Sequence, residues 1–135
     1  MSNAKKKLLS GLRILLVEDS LLLAMEVEQT LETYGAEVVT CLGASEGMAA
    51  IRNTQFDFLL TDYGLGGTSV LPLLHLAASR NIPLAILTGY PPDHLMEASR
   101  GLKVFEKPFR EADIVKHIAA VRLREGEAEN DPPAE

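Results

Sequence analysis

Apolar residues are concentrated in five short runs that recur at regular intervals along the chain. The first, third and fourth runs are almost unbroken, which is typical of strands buried on both faces of a parallel sheet. We therefore predict strands at residues 12–17, 36–42, 57–61, 84–88 and 102–105.

The intervals between these strands show the spacing of amphipathic helices. In the first interval Ser20 is a suitable N-cap and Gly35 a suitable terminator, and Val27 and Leu31 lie on an apolar stripe between them. Shorter patterns predict helices at residues 45–52, 68–80, 91–99 and 110–124. Strands and helices therefore alternate through most of the chain.

This alternation, with its short connections, predicts an α/β fold with an open, doubly wound parallel sheet and helices on both faces. Five strands fit the flavodoxin-like order 2-1-3-4-5 best, and ligands of such folds bind at the carboxyl ends of the strands. We place this domain at residues 11–124, after a flexible N-terminal arm at residues 1–10. Residues 125–135 are acidic and polar, which predicts a disordered tail.

Length and composition restrict the class of protein. The 135 residues, 47% of them hydrophobic, suffice for one domain with a buried core. The net charge of −6 opposes a nucleic-acid partner, because such partners require clustered lysine and arginine. No apolar run approaches the roughly 20 residues that span a bilayer. The single cysteine, Cys41, excludes an internal disulfide, so we expect a cytoplasmic protein that binds neither nucleic acid nor a membrane.

Charged and polar residues follow four of the predicted strands. Glu18 and Asp19 follow the first strand, Asp62 the third, Thr88 ends the fourth and Lys107 follows the fifth. In the predicted fold these positions open onto one crevice. Three neighbouring carboxylates repel one another unless a cation lies between them, and oxygen ligands suit Mg²⁺. A hydroxyl and an ammonium beside them can stabilise a phosphoryl group, which a carboxylate can accept as a nucleophile.

The sequence around these residues resembles that of response-regulator receiver domains of two-component and phosphorelay systems. The resemblance covers residues 12–124 and rests on the segment LLVEDS, on Asp62 after a hydrophobic strand, on Thr88 followed by a small residue, and on Lys107 followed by Pro108. Each motif alone is weak, but the four in this order are specific. The resemblance implies a phosphoacceptor domain with the flavodoxin-like fold.

The resemblance also implies a role for each matching acidic residue. Asp62 is the phosphoacceptor, and with Glu18 and Asp19 it holds Mg²⁺, the expected cofactor. Glu18 is one carbon longer than aspartate, so its contact with the ion can run through water. The backbone carbonyl of Gly64 is a further ligand.

Thr88 and Lys107 stabilise the phosphoryl oxygens in such domains, and Gly89 leaves room for them. The Lys107–Pro108 peptide bond is characteristically cis in this family, and we carry that expectation over.

The chain departs from the family pattern at the residue that normally relays the signal. The family has an aromatic residue three positions before the lysine, where this chain has Val104. Phe105 is its neighbour but must point to the opposite face of a strand, so it is no simple substitute. Tyr90 is a possible surrogate near the site. The segment LTGY and the short interval from Thr88 to the lysine are similar to atypical alphaproteobacterial single-domain receivers.

These features imply a domain that takes a phosphoryl group from a histidine kinase or a histidine phosphotransfer protein and signals through a downstream protein target. We expect no enzymatic activity beyond self-catalysed phosphotransfer and autodephosphorylation. Leu21 and Leu22 follow the acidic pair, and we expect them either to form part of an apolar docking patch or to pack under neighbouring loops.

Two other interpretations remain open at this point. A degenerate receiver that serves as a phosphorylation-independent interaction module is favoured by the valine at position 104. An aspartyl-phosphate phosphohydrolase similar to the haloacid dehalogenases needs a second aspartate two residues after the nucleophile, where this chain has Gly64.

Overall fold

The computed structural model describes residues 7–64, 69–89 and 101–130. This part of the chain contains five strands and four helices: β1 (Arg13–Val17), α1 (Leu21–Thr33), β2 (Glu37–Cys41), α2 (Ala44–Asn53), β3 (Phe58–Asp62), α3 (Leu71–Ser79), β4 (Leu84–Thr88), β5 (Lys103–Glu106) and α4 (Glu111–Asn130). Every predicted strand is confirmed with its ends shifted by one residue at most. The helix predicted at residues 91–99 lies outside the described residues.

All five strands pair in parallel in the order β2-β1-β3-β4-β5, which confirms the predicted flavodoxin-like topology. The register places Val17 opposite Thr61, and Asp62 opposite Leu87. The carboxyl ends of β1, β3 and β4 therefore lie side by side at one edge of the sheet. That edge holds the polar residues that the sequence places after the strands.

Two hydrophobic layers cover the faces of the sheet. Ile14 and Leu16 point to the face covered by α1 and α4, whereas Leu15 and Val17 point to the face covered by α2 and α3. Because successive side chains of a strand alternate between faces, a central strand packed on both faces must be apolar throughout. The nearly unbroken hydrophobic runs of β1, β3 and β4 have this cause.

Two glycines are required by local geometry. Gly35 has a φ of 102°, a conformation that lets the chain leave α1 and enter β2, as the sequence predicts. At Gly47 in α2, an added Cβ would lie 3.0 Å from Cγ2 of Val17. The missing side chain lets α2 rest closely on β1 just before the acidic pair.

The structure corrects the predicted N-terminal arm. Leu9 is fully buried in the layer beneath α1 and α4, and its backbone N–H donates to the carbonyl of Tyr34 at 2.9 Å. Residues 7–10 are therefore anchored, and the predicted flexible arm at residues 1–10 is wrong for this part. The apolar surface that a leucine buries outweighs the polar character of the lysines before it.

The predicted boundary of the acidic tail is also wrong. Helix α4 continues to Asn130, whereas the sequence predicts disorder from residue 125 onward. A helix that is nucleated on a packed face extends at low cost, and glutamate and alanine are good helix formers. Residues 131–135 lie outside the described part. Within the described residues, no helix combines the length and the apolarity that crossing a bilayer requires.

Candidate functional site

The three acidic residues after β1 and β3 form one cluster, as the sequence predicts. Glu18 and Asp19 directly follow β1, and Asp62 is the last residue of β3. One carboxylate oxygen of each lies within 4.8 Å of the others. The parallel register of β1 and β3 causes this proximity, because it brings both strand ends to the same edge of the sheet.

Lys107 supplies the positive charge next to this cluster. Its Nζ lies 3.2 Å from both Oε1 and Oε2 of Glu18, and 3.4 Å from Oδ1 of Asp62. The backbone N–H of Lys107 donates to the carbonyl of Thr88 at 2.7 Å, and the Lys107–Pro108 peptide bond is cis, as expected. The predicted lysine and hydroxyl residues are thus linked through their backbones.

Burial is the largest influence on the pKa of both buried carboxylates. The pKa of Glu18 is raised above its ordinary value, first by burial and then by the charge of Asp62, while Lys107 opposes the rise. The pKa of Asp62 is raised mainly by burial, with a further contribution from Asp19, against the lowering effect of Lys107 and of the Gly64 N–H. A second cation would therefore favour the ionised form of both groups.

Gly64 and Gly89 border the cluster. The N–H of Gly64 donates to Oδ1 of Asp62 at 3.4 Å, while a metal contact of its carbonyl stays a prediction. A Cβ built on Gly89 meets no described atom within 4 Å. No described residue therefore fills the space beside Gly89, which follows the fully buried Thr88 at the end of β4.

Val104 and Phe105 lie on opposite faces of β5, as strand alternation predicts. Val104 packs against the layer under α2 and α3. Phe105 is buried in the other layer, where its ring makes a T-shaped contact with the ring of His117 at 5.8 Å between centroids. Phe105 therefore does not take the position of the aromatic residue that the family has where this chain has Val104. Tyr90, the other possible surrogate, lies outside the described residues.

Apolar side chains are exposed at the start of α1, next to the acidic pair. Leu21 and Leu22 are 60% and 70% exposed, and Met25 one turn later is 56% exposed. The expectation that the two leucines pack under neighbouring loops is therefore wrong. Met25 enlarges the patch, and its helical spacing from the leucines is the sequence signal that identifies it.

The hydrogen-bond partners of Glu18 could not be predicted from the sequence. Ser20 occupies the predicted N-cap position, but its side chain makes no capping hydrogen bond. Instead its backbone N–H donates to Oε1 of Glu18 at 3.2 Å. The available signal was the identity of the residue, since the glutamate side chain is one carbon longer than that of aspartate.

The donor set of the cluster fits a hard divalent cation. Carboxylate oxygens of Glu18, Asp19 and Asp62 converge, and oxygen ligands with room for water are what Mg²⁺ prefers. The exposed Asp19 provides the side from which a hydrated ion can enter.

No protein-family model and no curated protein matches the sequence. Solved structures do match. The CheY-like response regulator receiver domain protein from Methanospirillum hungatei is 30% identical, with a TM-score of 0.73 over 87% of this chain and 98% of that one. The response regulator PhyR from Brucella abortus is 26% identical with a TM-score of 0.73, over 95% of this chain and 56% of that one.

A more distant structure carries a ligand. The response regulator TrrA from Thermotoga maritima, determined in complex with Mg²⁺ and BeF, is 19% identical with a TM-score of 0.71, over 81% of this chain and 97% of that one. At that identity the likeness concerns the fold.

Proposed function

The chain belongs to the response-regulator receiver domains. On this premise we propose that its Asp62 accepts a phosphoryl group from the phosphohistidine of another protein, and that the chain then signals through a protein partner. One observation carries the proposal. Asp62 lies at the end of β3 within 4.8 Å of two further carboxylates and 3.4 Å from the ammonium of Lys107. This arrangement offers a nucleophile and the charges that a phosphoryl group requires.

The transfer step forms one bond and breaks one. A carboxylate oxygen of Asp62 attacks the phosphorus, the P–N bond to the donor imidazole breaks, and its electron pair stays on the nitrogen. Lys107 and Thr88 hold the phosphoryl oxygens as the group arrives. Later attack by water on the phosphorus breaks the bond to the Asp62 oxygen, releases inorganic phosphate and returns Asp62 to its free carboxylate. The domain thereby catalyses its own phosphorylation and dephosphorylation, and we propose no other enzymatic activity for it.

Asp19 and Asp62, with the carbonyl of Gly64 and direct or water-mediated contact from Glu18, are the groups that would hold Mg²⁺. When bound, the ion supplies positive charge that offsets the carboxylates and the phosphoryl oxygens. Support comes from the acidic cluster and from the relative determined with Mg²⁺ and BeF.

A histidine kinase or a histidine phosphotransfer protein is the proposed donor, and a downstream protein the proposed target. The phosphoryl group shifts the equilibrium between two conformations of the surface around β4 and β5, and the target protein binds one of them. Val104 indicates that this shift does not use the family's usual aromatic residue.

Intact-mass measurement after incubation with Mg²⁺ and acetyl phosphate tests the phosphoacceptor. We expect wild type to gain the mass of one phosphoryl group and Asp62→Asn to gain none. Asp57→Asn is the matched control, because Asp57 precedes the same strand at the opposite edge of the sheet and accepts the N–H of Arg13. It should be modified like wild type.

Failure of wild type to gain the mass, also with a phosphohistidine donor, would contradict the proposal. That result would favour the alternative, a degenerate receiver that acts as a phosphorylation-independent interaction module, for which Val104 is the supporting observation.

The apolar patch of Leu21, Leu22 and Met25 is the proposed contact for the phosphodonor protein. Changing Leu21 and Leu22 together to aspartate should slow transfer from that protein by about tenfold or more, since the change removes apolar contact area and places two unpaired charges in the interface. Modification by acetyl phosphate should be unchanged. Leu123→Asp, at another exposed leucine on α4, is the control and should slow neither reaction. Equal slowing with both donors would show that the leucines act on the site itself.

A further inference from the structure

His117 lies on α4 between two aromatic rings of the sheet. Its ring makes T-shaped contacts with Phe58, which begins β3, at 6.0 Å between centroids, and with Phe105 on β5 at 5.8 Å. Both phenylalanines are buried, whereas His117 is partly exposed. The imidazole therefore takes part in the packing of α4 on the sheet, and protons from the solvent can still reach it.

The charged groups next to His117 are mainly positive. Lys103 lies two residues before Phe105 on the same face of β5, and its Nζ is 5.2 Å from the centroid of that ring. The exposed Arg124 follows His117 by about two turns of α4, and the exposed Asp113, one turn before it, is the nearest acid along the helix.

The other elements that border this layer contribute apolar side chains to it. These include Val27 of α1, Phe58 of β3 and Leu87 of β4. The imidazole thus meets rings and aliphatic groups on the side of the sheet, and cations on β5 and on its own helix.

These surroundings favour the neutral imidazole. Burial lowers the pKa of His117 below its ordinary 6.5, and the charges of Lys103 and Arg124 lower it further. An imidazolium could gain from the face of a phenylalanine ring, but the ammonium of Lys103 already lies over the ring of Phe105. Protonation therefore opposes the contacts that hold His117 in this interface.

From this packing we propose that His117 is an acid-sensitive contact, whose protonation weakens the hold of α4 on β3 and β5. The proton adds a third positive charge near Lys103 and Arg124, in a partly buried site beside two rings. The inference goes beyond the proposed function and requires no phosphoryl group. Acid would act on β5, a strand of the surface that the proposed target binds.

The sign of the effect follows from proton linkage. The unfolded chain takes up this proton more readily than the folded protein does. His117 therefore contributes stability at neutral pH, and this contribution is lost as the pH falls below about 6.5 toward the lower pKa of the folded state.

A pH titration of the histidine ring protons by NMR tests the state of the imidazole. His117 should titrate at a lower pH in the folded protein than in the urea-unfolded chain. Lys103→Met should raise the midpoint of His117, since methionine keeps an aliphatic side chain beside Phe105 without the charge. Arg52→Met, at an exposed cation of α2 on the opposite face of the sheet, is the control and should leave the midpoint unchanged.

Urea unfolding at about pH 7.5 and about pH 5.5, on either side of the ordinary histidine pKa, tests the effect on packing. Between these values the folding equilibrium constant of wild type should fall by about threefold or more relative to that of His117→Phe, which keeps a ring without a titrating group. The acidic cluster is present in both proteins, so the difference isolates His117. His75→Gln, at an exposed histidine of α3, is the matched control and should behave like wild type.

If His117→Phe does not fold, His117→Gln replaces it, because the amide is also uncharged over this pH range. The same pH dependence in wild type and in the variant at position 117 would overturn the acid-sensitive contact. A midpoint for folded His117 at or above that of the unfolded chain would overturn it as well. Neither result bears on the phosphorylation of Asp62, and a missing phosphoryl adduct would leave this inference unaffected.

Discussion

Asp62→Asn should raise the free energy of unfolding of the metal-free protein by about 1–2 kcal/mol, because it removes a charge that is disfavoured first by burial and then by two neighbouring carboxylates, and loses one attraction that partly offsets them. The repelling groups are Glu18 and Asp19, within 4.8 Å, and the attraction is to Lys107 at 3.4 Å. Lys107 keeps Glu18 as its partner after the change, which limits the loss. If Asp62 has the proposed function, its charge is kept at the expense of stability.

The pH dependence of this difference follows from the raised pKa of Asp62, whose ordinary value is 3.8. The folded state binds this proton more tightly than the unfolded state, so the group favours folding at low pH and loses that contribution as the pH rises through its raised pKa. The advantage of Asp62→Asn should therefore be largest at neutral pH and shrink as the medium becomes acidic.

Urea unfolding in the presence of a chelator, at neutral and at acidic pH, measures this difference. Adding Mg²⁺ should reverse the order of stabilities, since an ion at 100 times its dissociation constant stabilises the folded state by about 2.7 kcal/mol and the variant lacks a ligand. Asp57→Asn should show neither effect. A variant no more stable than wild type without metal would mean that the repulsion among the carboxylates is already relieved.

Lys107→Met should have the opposite effect and lower the free energy of unfolding by about 3 kcal/mol at neutral pH without metal. This value is near the lower end of the range expected when one partner of a buried ion pair is removed. The loss is large because Glu18, 1% exposed, would keep its charge without a cation. It lies at the lower end because Lys107 itself is 28% exposed. The methionine retains most of the aliphatic packing.

Acid should rescue this variant in part. Without Lys107 the pKa of Glu18 rises further above its ordinary 4.5, so the folded state takes up the proton that cancels the buried charge. The stability lost at neutral pH should therefore return as the pH falls through that raised pKa. Wild type should show a smaller gain over the same interval.

A double-mutant cycle with Glu18→Gln identifies the cause of the loss. In that background Lys107→Met should cost much less, because no buried carboxylate is left without its cation. Lys116→Met, on the exposed side of α4, is the control and should change stability little. An equal cost of Lys107→Met in both backgrounds would show that the lysine stabilises the fold through its packing alone.

Much of the site could be read from the sequence because its members lie at the ends of strongly hydrophobic strands. Asp62 and Thr88 end β3 and β4, and their place in the crevice follows once the strand order is known. The opposite orientations of Val104 and Phe105 also follow from strand alternation, which is a local property of the backbone. These predictions needed no knowledge of side-chain contacts.

Other features depend on parts of the chain that meet only in the folded protein. Leu9 looks like part of a polar arm, yet Tyr34 and the layer under α1 and α4 give it a buried place. The exposure of Leu21 and Leu22 likewise depends on what packs nearby. Periodicity describes one element at a time and carries no information on which neighbour covers an isolated leucine.

The sequence by itself determined the alternation of strands and helices, the doubly wound fold and the membership of the acidic cluster, because hydrophobic runs and strand-end residues are local features. Only the tertiary structure decided that Lys107 lies with two contacts against Glu18, a residue 89 positions away, and with one against Asp62. These unequal contacts of Lys107 depend on the burial of each carboxylate and on differences of a few ångströms in the distances between charged groups, because burial and distance set the strength of charge interactions.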